Sequence, residues 1–173
     1  MKHLGELRWF LGIRVIRDRQ ANMIYLCLDT YLEKVAVTYG LHELPRLPKI
    51  PLPMAALKPH RGQATPTAIH LYQRKVGHLL YAAVMIRPDL AFPASMLARF
   101  ITNPSEDHIK ALDQAIRYAF ATRHYAIQYG GDHQGSITSN DLIISSDASF
   151  ADDLEDRKST YGYLITLYGG PIS

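Results

Sequence analysis

Residues 142–167, LIISSDASFADDLEDRKSTYGYLITL, decide how the rest of this 173-residue chain is read. Two β-rich runs, 142–146 and 161–167, flank an acidic connector, and this pattern predicts a hairpin with a long loop. Successive side chains of a strand point to opposite faces, so Ile143, Ser145 and Asp147 share one face while Leu142, Ile144 and Ser146 share the other. Asp147 stands where the first run ends, presented from a rigid strand end. Such a carboxylate suits a metal ligand, although an Asp leaving a strand is more commonly a turn or cap residue, and spacing leaves both readings open. Asp152, Asp153 and Asp156 fall in the connector and read as solvent-facing loop residues.

Outward from this stretch, composition sets the bounds. With 47% hydrophobic and 20% charged residues, the chain describes one globular domain, or one domain plus a fragment. A net charge of +3 and a pI near 9.0 are only mildly basic, compatible with nucleic acid without arguing for it. The lone Cys27 excludes an internal disulfide and a cysteine-based zinc site, which makes an intracellular location, cytoplasmic or nuclear, the expectation. No charged-then-apolar pattern is read in the opening residues, so a signal segment is not expected there. The longest apolar run, 76–86, contains His78 and falls short of the roughly 20 residues that span a bilayer, so no membrane partner is expected. His70, His78, His108, His124 and His133 lack metal-ligand spacing and read as structural or exposed, and no Walker-type glycine loop is present.

At the N-terminal end, residues 6–16 alternate apolar and polar, which predicts a half-buried strand with Leu7, Trp9, Leu11, Ile13 and Val15 on one face. Polar residues 17–22 turn the chain toward a partner strand at 23–28, and Gly12 marks a bulge, a close backbone approach or a simple bend. Asp29 or Thr30 caps a helix through Tyr39, and Gly40 stops it. Six prolines between 40 and 69 forbid a continuous helix or central strand, so 41–69 reads as an extended linker.

Three helices follow. Tyr72, Val76, Leu79, Leu80, Ala83 and Val84 form an apolar face opposite Arg74, Lys75 and His78. In the second helix Pro93 predicts a kink or a delayed start, with Met96, Leu97, Phe100 and Ile101 buried. The third is the best marked, with Asn103 as cap, Pro104 first, Glu106 third, and a stripe of Ile109, Leu112, Ile116, Ala119 and Phe120. Helices this close in sequence are expected to pack on one another.

Several stretches together resemble one family. Ser146-Asp147-Ala148, then Asp156 to Tyr163, is similar to the start of the ribonuclease H domain in copia-type LTR retrotransposon polyproteins, with Phe150 where that family usually has Trp and Asp152 where Gly is common. Leu4 to Ile13 resembles the reverse transcriptase just after its palm, Phe10-Leu11-Gly12 matching the primer grip. Tyr72 to Tyr81, Arg87 to Leu90, Pro104 to His108 and Arg117-Tyr118 follow in the order of the thumb segment; Pro93 and residues 119–122 depart from it. The resemblance covers nearly the whole chain.

It implies an α+β architecture: an N-terminal primer-grip-like β-hairpin and helix (1–40), a proline-rich linker (41–69), a three-helix thumb-like bundle (70–130) and a C-terminal β-hairpin of a truncated ribonuclease H-like fold (141–173). Phe10, Leu11, Gly12, Arg74, Lys75, Arg87, Lys110 and Arg117 are then the expected contacts to an RNA/DNA or primer-template duplex, with Arg99 and Arg123 as further candidates. The same resemblance implies that Asp147 is the family's first ribonuclease H carboxylate, a weak metal ligand when it stands alone. The intact family enzyme uses Mg2+, but two-metal hydrolysis needs several oxygen ligands, so this chain is expected neither to bind Mg2+ tightly nor to polymerise or cleave by itself. The remaining alternatives are a noncatalytic nucleic-acid clamp and a recruited interaction protein that oligomerises through exposed strand edges.

Overall fold

The computed structural model of the chain describes residues 5–43, 47–130, 142–149 and 159–172. These described residues form an α+β structure with two small antiparallel sheets and four α-helices. Strands β1 (Trp9–Phe10), β2 (Ile13–Asp18), β3 (Met23–Cys27) and β4 (Ala126–Gly130) form one sheet in that order. Strands β5 (Ile143–Ser149), β6 (Thr160–Leu167) and β7 (Gly170–Pro171) form the other. The helices are α1 (Asp29–Thr38), α2 (Pro66–Met85), α3 (Ala91–Ala98) and α4 (Glu106–Ala121). The chain divides into two compact units, residues 1–15 with 26–126, and residues 16–25 with 127–173.

The alternating run 6–16 is two strands and not one. Phe10 pairs with Ile13, and between them Leu11 (φ 50°) and Gly12 (φ 78°) make a two-residue turn with both residues left-handed. Such a turn matches the right-handed twist of its strands, and Gly at its second position takes that conformation without a Cβ clash. Alternation survives a two-residue reversal, so periodicity alone does not see it.

Helix boundaries also move, for local reasons. Leu28 is the N-cap of α1 and makes no side-chain cap bond; Asp29, inside the first turn, pairs with Arg14 of β2. Gly40 ends the helix as expected, at φ 63°, with Leu41 N–H donating to Ala36 O at 2.8 Å. Helix α2 starts at Pro66, capped by Thr65, whose Oγ1 accepts from Ala68 N–H at 3.2 Å, so the linker ends earlier than 69. A 3-10 turn at Pro88–Leu90 leads straight into α3, and Pro93 lies in the first helical turn, where a missing N–H costs no internal bond. Phe100 and Ile101 lie past the end of α3 and are half-buried. Helix α4 is capped by Ser105 instead of Asn103, with His108 completing a capping box.

The core of the first unit is built where the helices meet. From α2 come Tyr72, Lys75, Val76, Leu79, Ala82 and Ala83, from α3 Pro93, Ala94 and Leu97, and from α4 His108, Ala111, Leu112, Ala115, Ile116 and Ala119. Leu80 and Val84, expected inside, are 38% and 80% exposed. Lys75, expected on the polar face, is buried, because Asp113 of α4 meets its ammonium at 2.5 Å and the Tyr39 ring lies 5.1 Å away. Tyr72 is buried with its hydroxyl donating to Leu97 O at 2.9 Å.

In the second unit, β5 and β6 pair antiparallel with Asp147 opposite Gly162, and β6 turns into β7 through Tyr168 and Gly169, both left-handed. Strand β4, which the sequence reading took as part of the helical segment, belongs here. Gly130 N–H donates to Tyr168 O at 2.9 Å, and the Tyr129 hydroxyl donates to Pro171 O. A Cβ at Gly130 (φ 80°) would sit 2.2 Å from Asn22 O, so only glycine fits there. The connector with Phe150, Asp152, Asp153 and Asp156 lies outside the described residues, as does His133.

Candidate nucleic-acid interface

Three residues of the opening hairpin stand out from the first unit. Phe10 is 56% exposed and Leu11 63%, and Gly12 is exposed beside them. Large apolar side chains at a turn tip lose stability by facing water, so their position needs support from beneath. It comes from α2: the Tyr81 hydroxyl donates to Leu11 O at 2.5 Å, a bond between residues 70 apart in sequence. Close behind the turn, at the start of β2, the Arg14–Asp29 ion pair ties the strand to α1. The tip is thus fixed by its turn geometry, by Tyr81 and by α1.

From Tyr81 a polar and aromatic row runs back along α2. Arg74, His78 and Tyr81 are spaced four and then three residues apart, which places them on one helix face. The Tyr31 hydroxyl and His78 Nδ1 are hydrogen-bonded at 2.8 Å, and the Tyr31 ring lies 4.9 Å from that of Tyr81. Burial, with lesser help from Tyr81 and Tyr39, pushes the Tyr31 hydroxyl up to about 12, so it stays protonated. Burial, then the Arg74 charge, lowers the His78 pKa below the usual histidine value. A neutral His78 therefore leaves Arg74, which is exposed, as the cation of this row.

The other expected phosphate contacts divide by environment. Lys110 is exposed, with Glu106 and Asp107 each 4.0 Å away, and such solvated pairs leave its charge largely available. Arg117 is half-buried, and its Nε is enclosed without a hydrogen-bond partner among the described residues. Arg123 lies over the Phe120 ring and donates to Phe120 O at 3.1 Å. Lys75 is held by Asp113. Arg87 is 2% exposed: its Nε and Nη2 donate to the two oxygens of Asp89 at 2.8 and 2.7 Å, and Nη1 donates to Thr122 O at 3.1 Å. This guanidinium closes the C-terminal end of α4, where free carbonyls favour a cation. In this fold the Arg87-Pro88-Asp89 run is a latch.

Asp147 lies within β5 rather than at its end, exposed, with Oδ1 accepting from Ala148 N–H at 2.9 Å. Its face of the sheet carries Ile143, Ser145 and Ser149, and Gly162 opposite it leaves open space. Among the described residues, no group of three or more His, Cys, Asp or Glu is placed to hold a metal ion. Among them, too, no helix is long and apolar enough to cross a membrane.

The sequence reading missed Tyr31 and Tyr81 as supports of the tip. The α2 spacing that aligns Arg74, His78 and Tyr81 was visible, but nothing local says that residue 11 folds back against residue 81.

Comparison with known proteins finds relatives along the full chain. It is 30% identical over its whole length to a retrovirus-related Pol polyprotein from transposon TNT 1-94 of Nicotiana tabacum, of which it spans 13%. It is 32% identical over its whole length to a putative transposon Ty5-1 protein of Saccharomyces cerevisiae, of which it spans 54%. Over 59% of the chain it is 37% identical to a secreted RxLR effector protein of Plasmopara viticola, spanning 68% of that protein. No family model matches the chain. No solved structure matches it either.

Proposed function

Because the chain belongs with the retrovirus-related Pol polyproteins of copia-type transposons, we propose that it is the reverse transcriptase segment that grips the primer-template duplex, joined to the first strands of a ribonuclease H domain. The observation that carries this reading is the Tyr81–Leu11 hydrogen bond, which holds the tip with Phe10, Leu11 and Gly12 toward solvent. A rigid tip presents backbone groups and apolar surface to a strand end. Arg74, Lys110 and Arg117 supply phosphate contacts, while Lys75 and Arg87 keep the helices that carry them in place. The intact polyprotein carries out RNA-directed DNA synthesis and cleavage of RNA/DNA hybrids with Mg2+; this chain supplies grip and the Asp147 carboxylate. An intracellular seat, cytoplasmic or nuclear, goes with that role.

By itself the chain neither polymerises nor cleaves in this reading, since one exposed carboxylate does not hold two cations in place for in-line displacement. The test is binding of a labelled primer-template duplex across a salt series, together with a hybrid-cleavage assay in Mg2+. Expected are binding that weakens steeply with salt, a loss of affinity in Phe10→Ala/Leu11→Ala, and no cleavage. Absence of binding at low salt rejects the grip, and Mg2+-dependent cleavage abolished by Asp147→Asn rejects the inactive reading.

A second reading, an assembly protein that pairs with its own copies, is favoured by one face of the β5–β6 hairpin. Leu142, Ile144, Tyr161 and Tyr163 are all more than half exposed, and register puts Ile144, Tyr161 and Tyr163 on the same side. Exposed apolar strand surface invites pairing. A chain that stays monomeric by sedimentation at high concentration removes this reading.

A further inference from the structure

The proline-rich segment before α2 is tied down along α4 by side chains that bond its backbone. Gln114 Nε2 donates to Ile50 O at 3.1 Å, His108 Nε2 bonds Lys58 O at 2.9 Å, and Asn103 Nδ2 donates to Gly62 O at 2.9 Å and His60 O at 3.3 Å. Ala64 N–H returns the contact by donating to Asn103 Oδ1 at 2.8 Å. A segment without regular structure has backbone groups that need partners, and here α4 and the turn before it satisfy several of them. Between this strap and the first turns of α4 lies a cleft of about 470 Å3, lined among others by Lys58, His60, Arg61, Asp107, Lys110 and Gln114.

The lining is cationic. Lys58, Arg61 and Lys110 share the lining with one carboxylate, Asp107; Lys110 lies 4.0 Å from Asp107 and from Glu106 beside the cleft, and among the described residues no acid pairs with Lys58 or Arg61. His60 adds a ring nitrogen, Nδ1, that is enclosed and meets no hydrogen-bond partner. Glu106 and Asp107 already complement the start of α4, so the attraction for an anion rests on the side chains and not on the helix end. Pro53, Ala55 and Leu57 line the same cleft with apolar surface suited to a sugar face.

We propose that this cleft seats consecutive phosphates of a nucleic acid strand, with Lys58 and Arg61 on the strap and Lys110 on α4 as the phosphate contacts. The proposal rests on the nucleic-acid reading above and adds a surface outside the hairpin tip. The strand lies along the strap, its phosphates against the cations and its bases outward, so recognition is independent of sequence.

The test is fluorescence anisotropy of a labelled primer-template duplex with the full chain across a salt series. Lys58→Ala/Arg61→Ala is compared with Lys34→Ala/Arg17→Ala, which removes the same charge elsewhere, and with the charge-conserving Lys58→Arg/Arg61→Lys. The cleft variant is expected to bind about tenfold or more weaker at low salt, with a log K against log salt slope shallower by about 2. The charge-conserving variant keeps the wild-type slope, and the control pair changes it far less. Salt-dependent wild-type binding that the cleft variant leaves intact, or that both alanine pairs reduce equally, overturns the cleft while leaving the grip standing. Absence of wild-type binding rejects both.

Discussion

Ser105 and His108 hold each other through a reciprocal pair of bonds at the start of α4: Ser105 N–H donates to His108 Nδ1 at 3.0 Å, and His108 N–H donates to Ser105 Oγ at 3.3 Å. A backbone N–H only donates and a carbonyl only accepts. With Nδ1 accepting from Ser105 and Nε2 facing Lys58 O, the ring is fixed as the neutral Nε2–H tautomer. One imidazole thus joins a helix cap to the strap.

Stability is expected to fall with acid in consequence. Burial lowers the His108 pKa, as it does that of His78, so the unfolded chain binds protons that the folded chain refuses. The folded state is then fully favoured above the ordinary histidine value of about 6.5, and loses stability as pH drops from there toward the lowered folded values. The loss per histidine reaches at most about 1.4 kcal/mol per pH unit. Urea unfolding at pH 7.5 and pH 5 measures it. His108→Gln, which keeps an acceptor at the third helical position, reduces the pH dependence; a pH-flat wild type contradicts the argument.

Removing one partner of the Lys75–Asp113 pair leaves a charge in the core. Lys75 has 8% of its side chain exposed and Asp113 21%. Asp113→Ala is expected to cost about 3 kcal/mol, at the low end for a broken buried pair because Asp113 is still reached by water. Lys75→Met/Asp113→Leu, which removes both charges and keeps the volume, recovers most of that loss. Chemical denaturation of the three proteins decides it, and an Asp113→Ala variant within about 0.5 kcal/mol of wild type shows the pair to be idle.

How far sequence alone reached can be read at three places. The terminal hairpin, Gly40 as a stop and the existence of α2 and α4 were all legible, because each is written in local chemistry: β-rich runs, a left-handed residue, a helical stripe. The caps at Thr65 and Ser105 were written there too, but for α4 Asn103 and Pro104 offered a stronger-looking start two residues early. Asn103 is spent instead on the strap, a contact about 40 residues away that no local rule contains. The same holds for charges. Lys75 and Arg87 look like surface cations in sequence, and their burial depends on Asp113, and on Asp89 with Thr122, being brought to them by the helix packing.

Arg87 is expected to be irreplaceable by lysine. Its guanidinium spans both Asp89 oxygens and reaches Thr122 O and Oγ1 in one plane, a geometry that an ammonium cannot copy. Arg87→Lys and Arg87→Ala should both lower stability by about 2–4 kcal/mol, with the loss concentrated at the C-terminal end of α4. Amide exchange of residues 118–122 measured alongside thermal unfolding checks this. A lysine variant as stable as wild type shows that charge alone serves.

Tyr81→Phe separates holding the tip from holding the fold. The hydroxyl it removes bonds Leu11 O, and the residues of that turn are exposed, so water takes over the carbonyl and global stability falls by no more than about 1 kcal/mol. The turn itself persists, since Leu11 and Gly12 are set by the pairing of Phe10 with Ile13. What is lost is the link to α2. Amide exchange at Ile13 should quicken while that of the α2 core around Leu79 stays unchanged, and dissociation of a bound primer-template duplex should be faster with little change in association. Unchanged exchange at Ile13 together with unchanged dissociation would mean that the hairpin needs no support from Tyr81, and the grip would lose the observation it stands on.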